Sequence, residues 1–487
     1  MIWRGWIMTA FATLILTTGS PAAPALAPMN FGPERPIAEA SGGYSGKLSS
    51  SPTHGAAGTP VTVVGEKLPP NEEFDLVWNT VEGTWMVEDG LYKGREFTPK
   101  AYLIAPVTTA ADGSFSQSFI TPDDFGFLHD VALQKDGRLV NQTGYSVDLT
   151  MTLSPESGPL GTPITVEVHG LGWRYLENSW TLVYGNSFTG WLSSVTTSGT
   201  ARFTIPATGA VGTHVLRLVH AGFTYPYLNP EQNPYPDRVR PRAEFVLTGG
   251  APVLPPPAEK QTLADVRRLP ASGDFVVTPA FTGVGQPVIV QAASLEPGTS
   301  YQLEWGTVVG NRVVQNGWSS EFRPVGEAIA DENGRATFKF ETPDDLGGAH
   351  QLALGTGKTR RTGHHWITPT AIPLDVAKGP AGTTFKVHIK GGGWSETGNI
   401  YHVNYDNAYL GYVCAFNSSG DITIFLSASG EPGPHYIDVY PGIYKGSETQ
   451  PNNYRIPQLT YAADHPGEDL PAFHFAFEVT NAPETGH

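Results

Sequence analysis

The chain has 487 residues, a single cysteine and a formal net charge of −16, with only 16% of residues charged and 56 glycines and 42 prolines. That length is too great for one core and divides into three or four domains of roughly 100 to 150 residues. The acidic balance argues against nucleic acid or anionic lipid as a partner, since both need a basic face. The composition suits short strands and many turns rather than helices or coiled coil.

The chain opens on Arg4, an apolar run through Met8, Phe11, Leu14, Ile15 and Leu16, and the small residues Ala22, Ala23, Ala25 and Ala27. This reads as a cleaved secretory signal over residues 1–27, with an apolar centre too short to span a bilayer comfortably. Pro28 disfavours cleavage directly after Ala27, so the cut is expected a few residues earlier. Loss of Arg4 with the leader leaves a charge of −17, and no later segment is apolar enough to cross a membrane. The expected location is periplasmic, cell-surface or secreted. With Cys414 alone, an exported chain cannot staple itself, so its domains must hold by packing.

A flexible lead is expected over 28–50. Residues 51–149 then form a unit A1 and 150–248 a unit B1. A Pro-rich linker follows at 249–273, then unit A2 at 274–369, unit B2 at 370–480 and a tail at 481–487. The division rests on a repeat: residues 158–220 lie on 379–441 at a constant offset of 221 without a gap, matching Gly158, Gly161, Gly170, Gly172, Trp173, Tyr184, Gly190 and His214 to Gly379, Gly382, Gly391, Gly393, Trp394, Tyr405, Gly411 and His435. The A units match as well, Leu68, Leu76 and Trp78 answering Leu295, Leu303 and Trp305, and Thr121-Pro122-Asp123-Asp124 answering Thr342-Pro343-Asp344-Asp345. Such self-similarity marks a duplicated folding unit, so recurring residues are first of all scaffold.

Each unit has an alternating apolar run ending in an aromatic (Trp78, Tyr184, Trp305, Tyr405) and later a histidine followed by alternating apolars (His129, His214, His350, His435). Period two places these side chains on one face of a strand, where a large ring fills the space between two sheets. The histidines are expected to bond a neighbouring turn. Asp112-Gly113, Ser198-Gly199, Asn333-Gly334 and Ser419-Gly420 read as hairpin turns. Short strands with frequent turn signals and a buried central aromatic predict an all-β chain of four tandem immunoglobulin-like β-sandwich domains, arranged as a duplicated A-B pair.

Gly158-Pro159-Leu160-Gly161-Thr162, Val166, Val168 and Gly170-Leu171-Gly172-Trp173 resemble the opening of bacterial extracellular immunoglobulin-like domains of the IPT/TIG sort, and Asp112-Gly113, Pro122 and Gly126 to Leu133 resemble their close. The resemblance implies a fold and not an activity, in a family that includes adhesins, enzyme appendages and envelope proteins.

Chemical motifs are few. Gly355-Thr356-Gly357-Lys358-Thr359 lacks the first glycine of a phosphate loop, having Leu352 in its place, and follows a sandwich strand. Cys414 answers Ser193 in the repeat, so a small buried side chain is a better reading than a nucleophile served by His435 or His402. Asp123, Asp124, Asp344 and Asp345 offer hard oxygens to calcium but too few for a site, and their Pro-flanked context is turn chemistry. No metal or other cofactor is expected.

The stronger signals are insertions. From aromatic to histidine the B units span 30 residues, whereas A1 spans 51 and A2 spans 45. The excess holds Trp85 in A1 and Trp318 in A2. The B units instead enlarge the segment after the histidine, with Tyr225, Tyr227 and Tyr235 in B1 and Tyr444, Tyr454 and Tyr461 in B2. Long loops on a rigid sandwich are where binding usually lives, so these eight aromatics are the candidate contacts for a surface protein or glycan. The competing reading is that they cover sheet edges and cement neighbouring domains. The expected function is a non-catalytic binding or adhesion module. Alternatives are a self-assembling structural subunit of an envelope layer or filament, and an enzyme of glycans or peptides or its accessory subunit.

Overall fold

A computed structural model describes residues 31–40, 42–88, 90–174, 177–178, 180–222, 225–229, 241–261, 273–310, 318–355, 360–444 and 456–481. Four immunoglobulin-like β-sandwiches follow one another along the chain. Each sets a three-stranded sheet against a larger one: Lys47–Ser51, Pro60–Glu66 and Phe115–Ile120 make the small sheet of A1, and Thr150–Ser154, Pro163–His169 and Ala201–Pro206 that of B1. The alternation is visible in Pro60–Glu66 and Pro163–His169, where Val61, Val63, Ile164, Val166 and Val168 point inward. In every unit a short strand pairs in parallel with the last strand: His54–Gly55, Ser157–Gly158, Phe281–Thr282 and Lys378–Pro380.

The recurrent aromatic and histidine meet face to face in all four cores. Ring centroids are 4.5 Å apart for Trp78 and His129, 5.4 Å for Tyr184 and His214, 4.3 Å for Trp305 and His350, and 5.5 Å for Tyr405 and His435. Each histidine Nε2 bonds the carbonyl four residues earlier, of Phe125, Ala210, Leu346 and Glu431, at 2.7 to 2.8 Å. The expected turn bond is therefore present in every unit. The aromatic's polar atom is satisfied in two ways. In the A units the indole donates to Asp124 (2.8 Å) or Asp345 (2.9 Å), and in the B units the phenol donates to Thr208 O (2.9 Å) or Ser429 O (2.8 Å).

Three expectations need correction. The four Gly turns do not close hairpins: each links a strand of the larger sheet to one of the smaller, and Gly113, Gly199, Gly334 and Gly420 take positive φ there. The A insertions are extensions of strands, Glu73–Glu88 with Leu91–Thr108 and Ser300–Gly310 with Trp318–Ile329, which stay paired antiparallel through them. Described parts of the lead and of the linker are docked. Glu34–Arg35 pairs with Ala101–Tyr102, Phe31 stacks on Tyr102 at 4.5 Å, and Lys47–Ser51 is already sandwich. Ala258 enters the B2 core, and Gln261 exchanges two hydrogen bonds with the His474 backbone, both at 2.6 Å.

The two A-B junctions are copies of one another. Gly126 N–H donates to Leu171 O (3.0 Å) and Gly347 N–H to Gly392 O (2.9 Å). A side chain at Gly126 or Gly347 would collide with the carbonyl of Gly170 or Gly391, so the backbones approach as only glycine permits. No helix among the described residues is long and apolar enough to cross a membrane.

Candidate functional site

Four of the eight candidate aromatics fall into two groups, Trp85 with Tyr461 and Trp318 with Tyr444. The first closes a three-way junction of A1, B1 and B2. Trp85, at the far end of the A1 hairpin, lies edge-on to Trp191 of B1 (6.4 Å) and near Tyr92 (6.0 Å), and these pack with Ile443 and Ile456 of the B2 insertion. Asp464 organises the polar side. Its carboxylate, 1% exposed, accepts from Trp85 Nε1 (2.9 Å), Val195 N (2.7 Å), Thr196 N (2.9 Å) and Thr196 Oγ1 (2.7 Å). Beside it Ser193 Oγ meets Thr460 Oγ1 (2.8 Å) and accepts from Gln458 Nε2 (2.9 Å). Glu396 of B2 takes the Tyr92 N–H at 2.8 Å.

Tyr461 belongs to this junction and is 1% exposed, stacked on His465 at 4.9 Å and donating toward Glu468 O at 2.8 Å. The reading of Tyr461 as a ligand contact is thus overturned: the insertion folds back, and burial takes its ring out of reach. Trp85, half-buried and hydrogen-bonded to Asp464, is likewise a junction residue.

The second group lies where A2 meets B2. Trp318 stands 6.3 Å from Trp394 and 6.4 Å from Phe416, and Tyr444 meets Phe416 edge-on at 5.4 Å. All four rings are half-buried. On the adjoining edge strand Ala408–Cys414, Leu410 is 55% and Tyr412 43% exposed. Here Trp318 and Tyr444 keep part of their surface exposed. In B1, Tyr225 pairs with Gly222 through the backbone, and Tyr227 N–H donates to His220 O at 3.0 Å, its side chain half-buried. Tyr235 and Tyr454 lie outside the described residues.

Of the four aspartates weighed for calcium, Asp123 and Asp344 pair across a domain seam and Asp124 and Asp345 are buried within their A units. Asp124 and Asp345 are buried, each receiving an indole N–H and a backbone N–H, from Phe125 and Leu346 at 2.8 Å. Burial pushes the Asp124 carboxyl upward, opposed by His129 and its hydrogen bonds. Asp123 pairs across the A1-B1 seam with His169 Nδ1 at 2.9 Å, and Asp344 pairs across the A2-B2 seam with Lys390. His169 and Lys390 are repeat-mates, so the seam keeps its ion pair while changing the cation. Among the described residues no three His, Cys, Asp or Glu side chains gather as metal ligands. His435, a proposed base for Cys414, instead places its nitrogens on Asp406 (2.5 Å) and Glu431 O (2.8 Å).

Asp464 falls in the B2 insertion that the sequence marks, in the run Asp464 to Asp469, whereas Trp191 and Glu396 were not singled out from sequence. Trp191 carried a signal, since it departs from its repeat-mate Tyr412 where the flanking pattern holds.

No protein-family model matches the sequence, and no curated protein matches it. Among solved structures, the chain is similar to a Salmonella alpha-2-macroglobulin mutant at 12% identity, over 90% of this chain and 31% of that one, with a TM-score of 0.18. It is similar to an ICAM-5 D1-D4 ectodomain fragment at 11% identity, over 89% and 99%, with a TM-score of 0.18. It is also similar to the BSP domain of a biofilm associated protein at 10% identity, over 92% and 99%, with a TM-score of 0.14. The chain thus spans about a third of the macroglobulin it matches. At these identities and scores the likeness assigns neither a family nor a function.

Proposed function

We propose that the chain is an exported, non-catalytic binding or adhesion protein of the bacterial envelope, built from IPT/TIG-like domains, and that its binding surface is the aromatic face of the A2-B2 junction. The observation that carries this reading is the contrast between the two aromatic groups. The A1-B1-B2 group is consumed in fixing three sandwiches together, while Trp318, Trp394, Phe416 and Tyr444 stay half-exposed beside an edge strand bearing Leu410 and Tyr412. A pre-organised scaffold presenting rigid rings binds at low entropic cost. Sugar rings or a protein surface are the ligand classes such a face suits.

The filament alternative draws less support from the edges. The A1 edge strand Leu91–Thr108 is met by Glu34–Arg35 at Ala101 and Tyr102, and the A2 edge strand Trp318–Ile329 carries Pro324, which has no N–H to give a neighbouring strand. The test is to fractionate native cells and measure attachment of the full chain and of a Trp318→Ala/Tyr444→Ser variant of unchanged melting temperature. Wild-type attachment to an envelope glycan or protein, lost in the variant, supports the reading. A sedimenting polymer, or full attachment by the variant, refutes it.

A further inference from the structure

The larger sheet of B2 turns a polar face toward B1. In Ile400–Tyr405 and Gly433–Pro441 the residues Val403, Ile437 and Val439 belong to the B2 core, so the alternate positions His402, Asn404, Asp438 and Tyr440 lie on the opposite face. B1 covers part of that face. Tyr440 packs into the B1 core, and Asn404 Nδ2 donates to Thr189 O at 2.8 Å. In register Asn404 stands opposite Asp438, and His402 opposite Tyr440. Side chains so placed are about 5 Å apart across the sheet and about 7 Å apart along one strand.

Three of these side chains carry a buried polar atom that no protein group meets. Asn404 is 0%, Asp438 2% and Tyr440 4% exposed, yet Asn404 Oδ1, Asp438 Oδ2 and the Tyr440 hydroxyl make no hydrogen bond within the protein. None can turn away without giving up a contact it already has. The Asn404 amide nitrogen sits on a carbonyl, which fixes its oxygen as the free acceptor, and the Tyr440 ring is held by packing. Asp438 Oδ1 is taken by His474 Nδ1 at 2.7 Å, and the His474 backbone is in turn pinned by both ends of the Gln261 amide. His402 Nε2, also unpartnered, lies against Gly442, where a Cβ would stand 2.4 Å from it, and is left out of the group.

We infer that Asn404, Asp438 and Tyr440 bind a structural water molecule in the seam between B1 and B2. The two carbonyl-type oxygens accept its two protons and the tyrosine hydroxyl donates to its oxygen, which gives the three bonds typical of a buried water. Left unmade, those bonds would charge the folded chain with the desolvation of three polar groups at one place. One water answers all three for the loss of its own freedom. A calcium ion fits less well, because three oxygens fall short of the six to eight it takes and Asp438 already faces an imidazole nitrogen. The seam is thus hydrated here and dry where Leu459, 6% exposed, enters the B1 core.

Two measurements on the full chain test the site. A high-resolution crystal structure should place a water oxygen about 2.7 to 3.2 Å from Asn404 Oδ1, Asp438 Oδ2 and Tyr440 Oη, and rubidium in the crystallisation medium should give no anomalous peak there. In urea unfolding Tyr440→Phe, which removes only the hydroxyl, should lower the folding equilibrium constant roughly fivefold. The sign of that change discriminates. Deleting a hydroxyl that meets nothing relieves its burial and leaves the chain as stable or more so, whereas deleting one that bonds a water breaks that bond. The inference is overturned by a seam in which the three side chains meet without water, by a rubidium peak at the site, or by Tyr440→Phe at least as stable as the wild type.

Discussion

The indole of Trp85 donates its proton to the carboxylate of Asp464 over 2.9 Å, across 379 residues of chain. That one contact joins the first sandwich to the last, and the same carboxylate holds the Val195 and Thr196 amides of the second. Asp464→Ala strands three N–H donors in a buried place, each costing about 1 to 3 kcal/mol when left unmade. A loss of about 3 kcal/mol or more is expected in denaturant unfolding, with faster exchange at the Val195 and Thr196 amides. Asp464→Asn, keeping one acceptor oxygen, should lose less. Wild-type stability in Asp464→Ala would show that the junction is held by Trp191 and its apolar neighbours alone.

His129 and His350 should matter more than His214. Both nitrogens of His129 face carbonyls, of Asn79 at 3.0 Å and Phe125 at 2.7 Å, and those of His350 face Gly306 at 2.9 Å and Leu346 at 2.7 Å. Each ring thus ties the strand of its aromatic partner to the turn four residues before it, with Asp124 or Asp345 close by at 3.8 or 3.9 Å. His214 is half-buried and bonds one carbonyl, that of Ala210. Alanine at His129 or His350 is expected to cost about 2 to 4 kcal/mol, and at His214 about 1 kcal/mol or less. Equal losses in the three melts would remove the distinction between the A and B cores.

The repeat offset and the period-two runs made four sandwiches legible, because strand alternation and glycine at positive φ are local matters that every copy must obey. The histidine turn bond was legible for the same reason, its acceptor being only four residues away. Tyr461 was not. It lies outside the shared skeleton and therefore looked available, but what buries it is a fold-back of the B2 insertion against its own domain beside the contacts to A1 and B1. Asp123 and Asp344 showed a turn in sequence; that each pairs with a cation on the next domain depends on the angle of the seam, which no local pattern encodes.

Acid should weaken the chain through two buried neutral histidines. Burial lowers His365 to about 4 and His402 to about 3, from an ordinary 6.5. The geometry agrees for His365: Nδ1–H donates to Pro279 O (3.2 Å), leaving Nε2 to accept from Thr282 Oγ1 (2.9 Å). Folded values below the unfolded one mean that the unfolded chain binds more protons between them. Stability therefore falls as pH drops from 6.5 through these folded values, by up to about 1.4 kcal/mol per pH unit for each histidine. Urea midpoints across that range should decline, and His365→Gln should decline less steeply. A midpoint flat across that range would count against both rings being held neutral.

The two A-B seams should respond differently to alkali. Asp123, as hydrogen-bond partner, raises His169, opposed by partial burial and helped by Glu167 3.3 Å from Nε2; its repeat-mate Lys390 is raised in turn by its hydrogen bond to Asp344. A folded value above the unfolded one gives stability that is complete below the unfolded value and is lost as pH rises through the folded value. For His169 that loss begins above its ordinary 6.5, whereas for Lys390 it begins only above 10.5. Between about pH 6 and about pH 9, corrected exchange at the Gly126 amide should quicken while that at Gly347 stays level, because each amide crosses its own seam to Leu171 or Gly392. His169→Lys should make the first seam behave as the second. Parallel pH profiles at the two glycines in the wild-type chain would show that glycine packing, and not the ion pair, sets the strength of the seam.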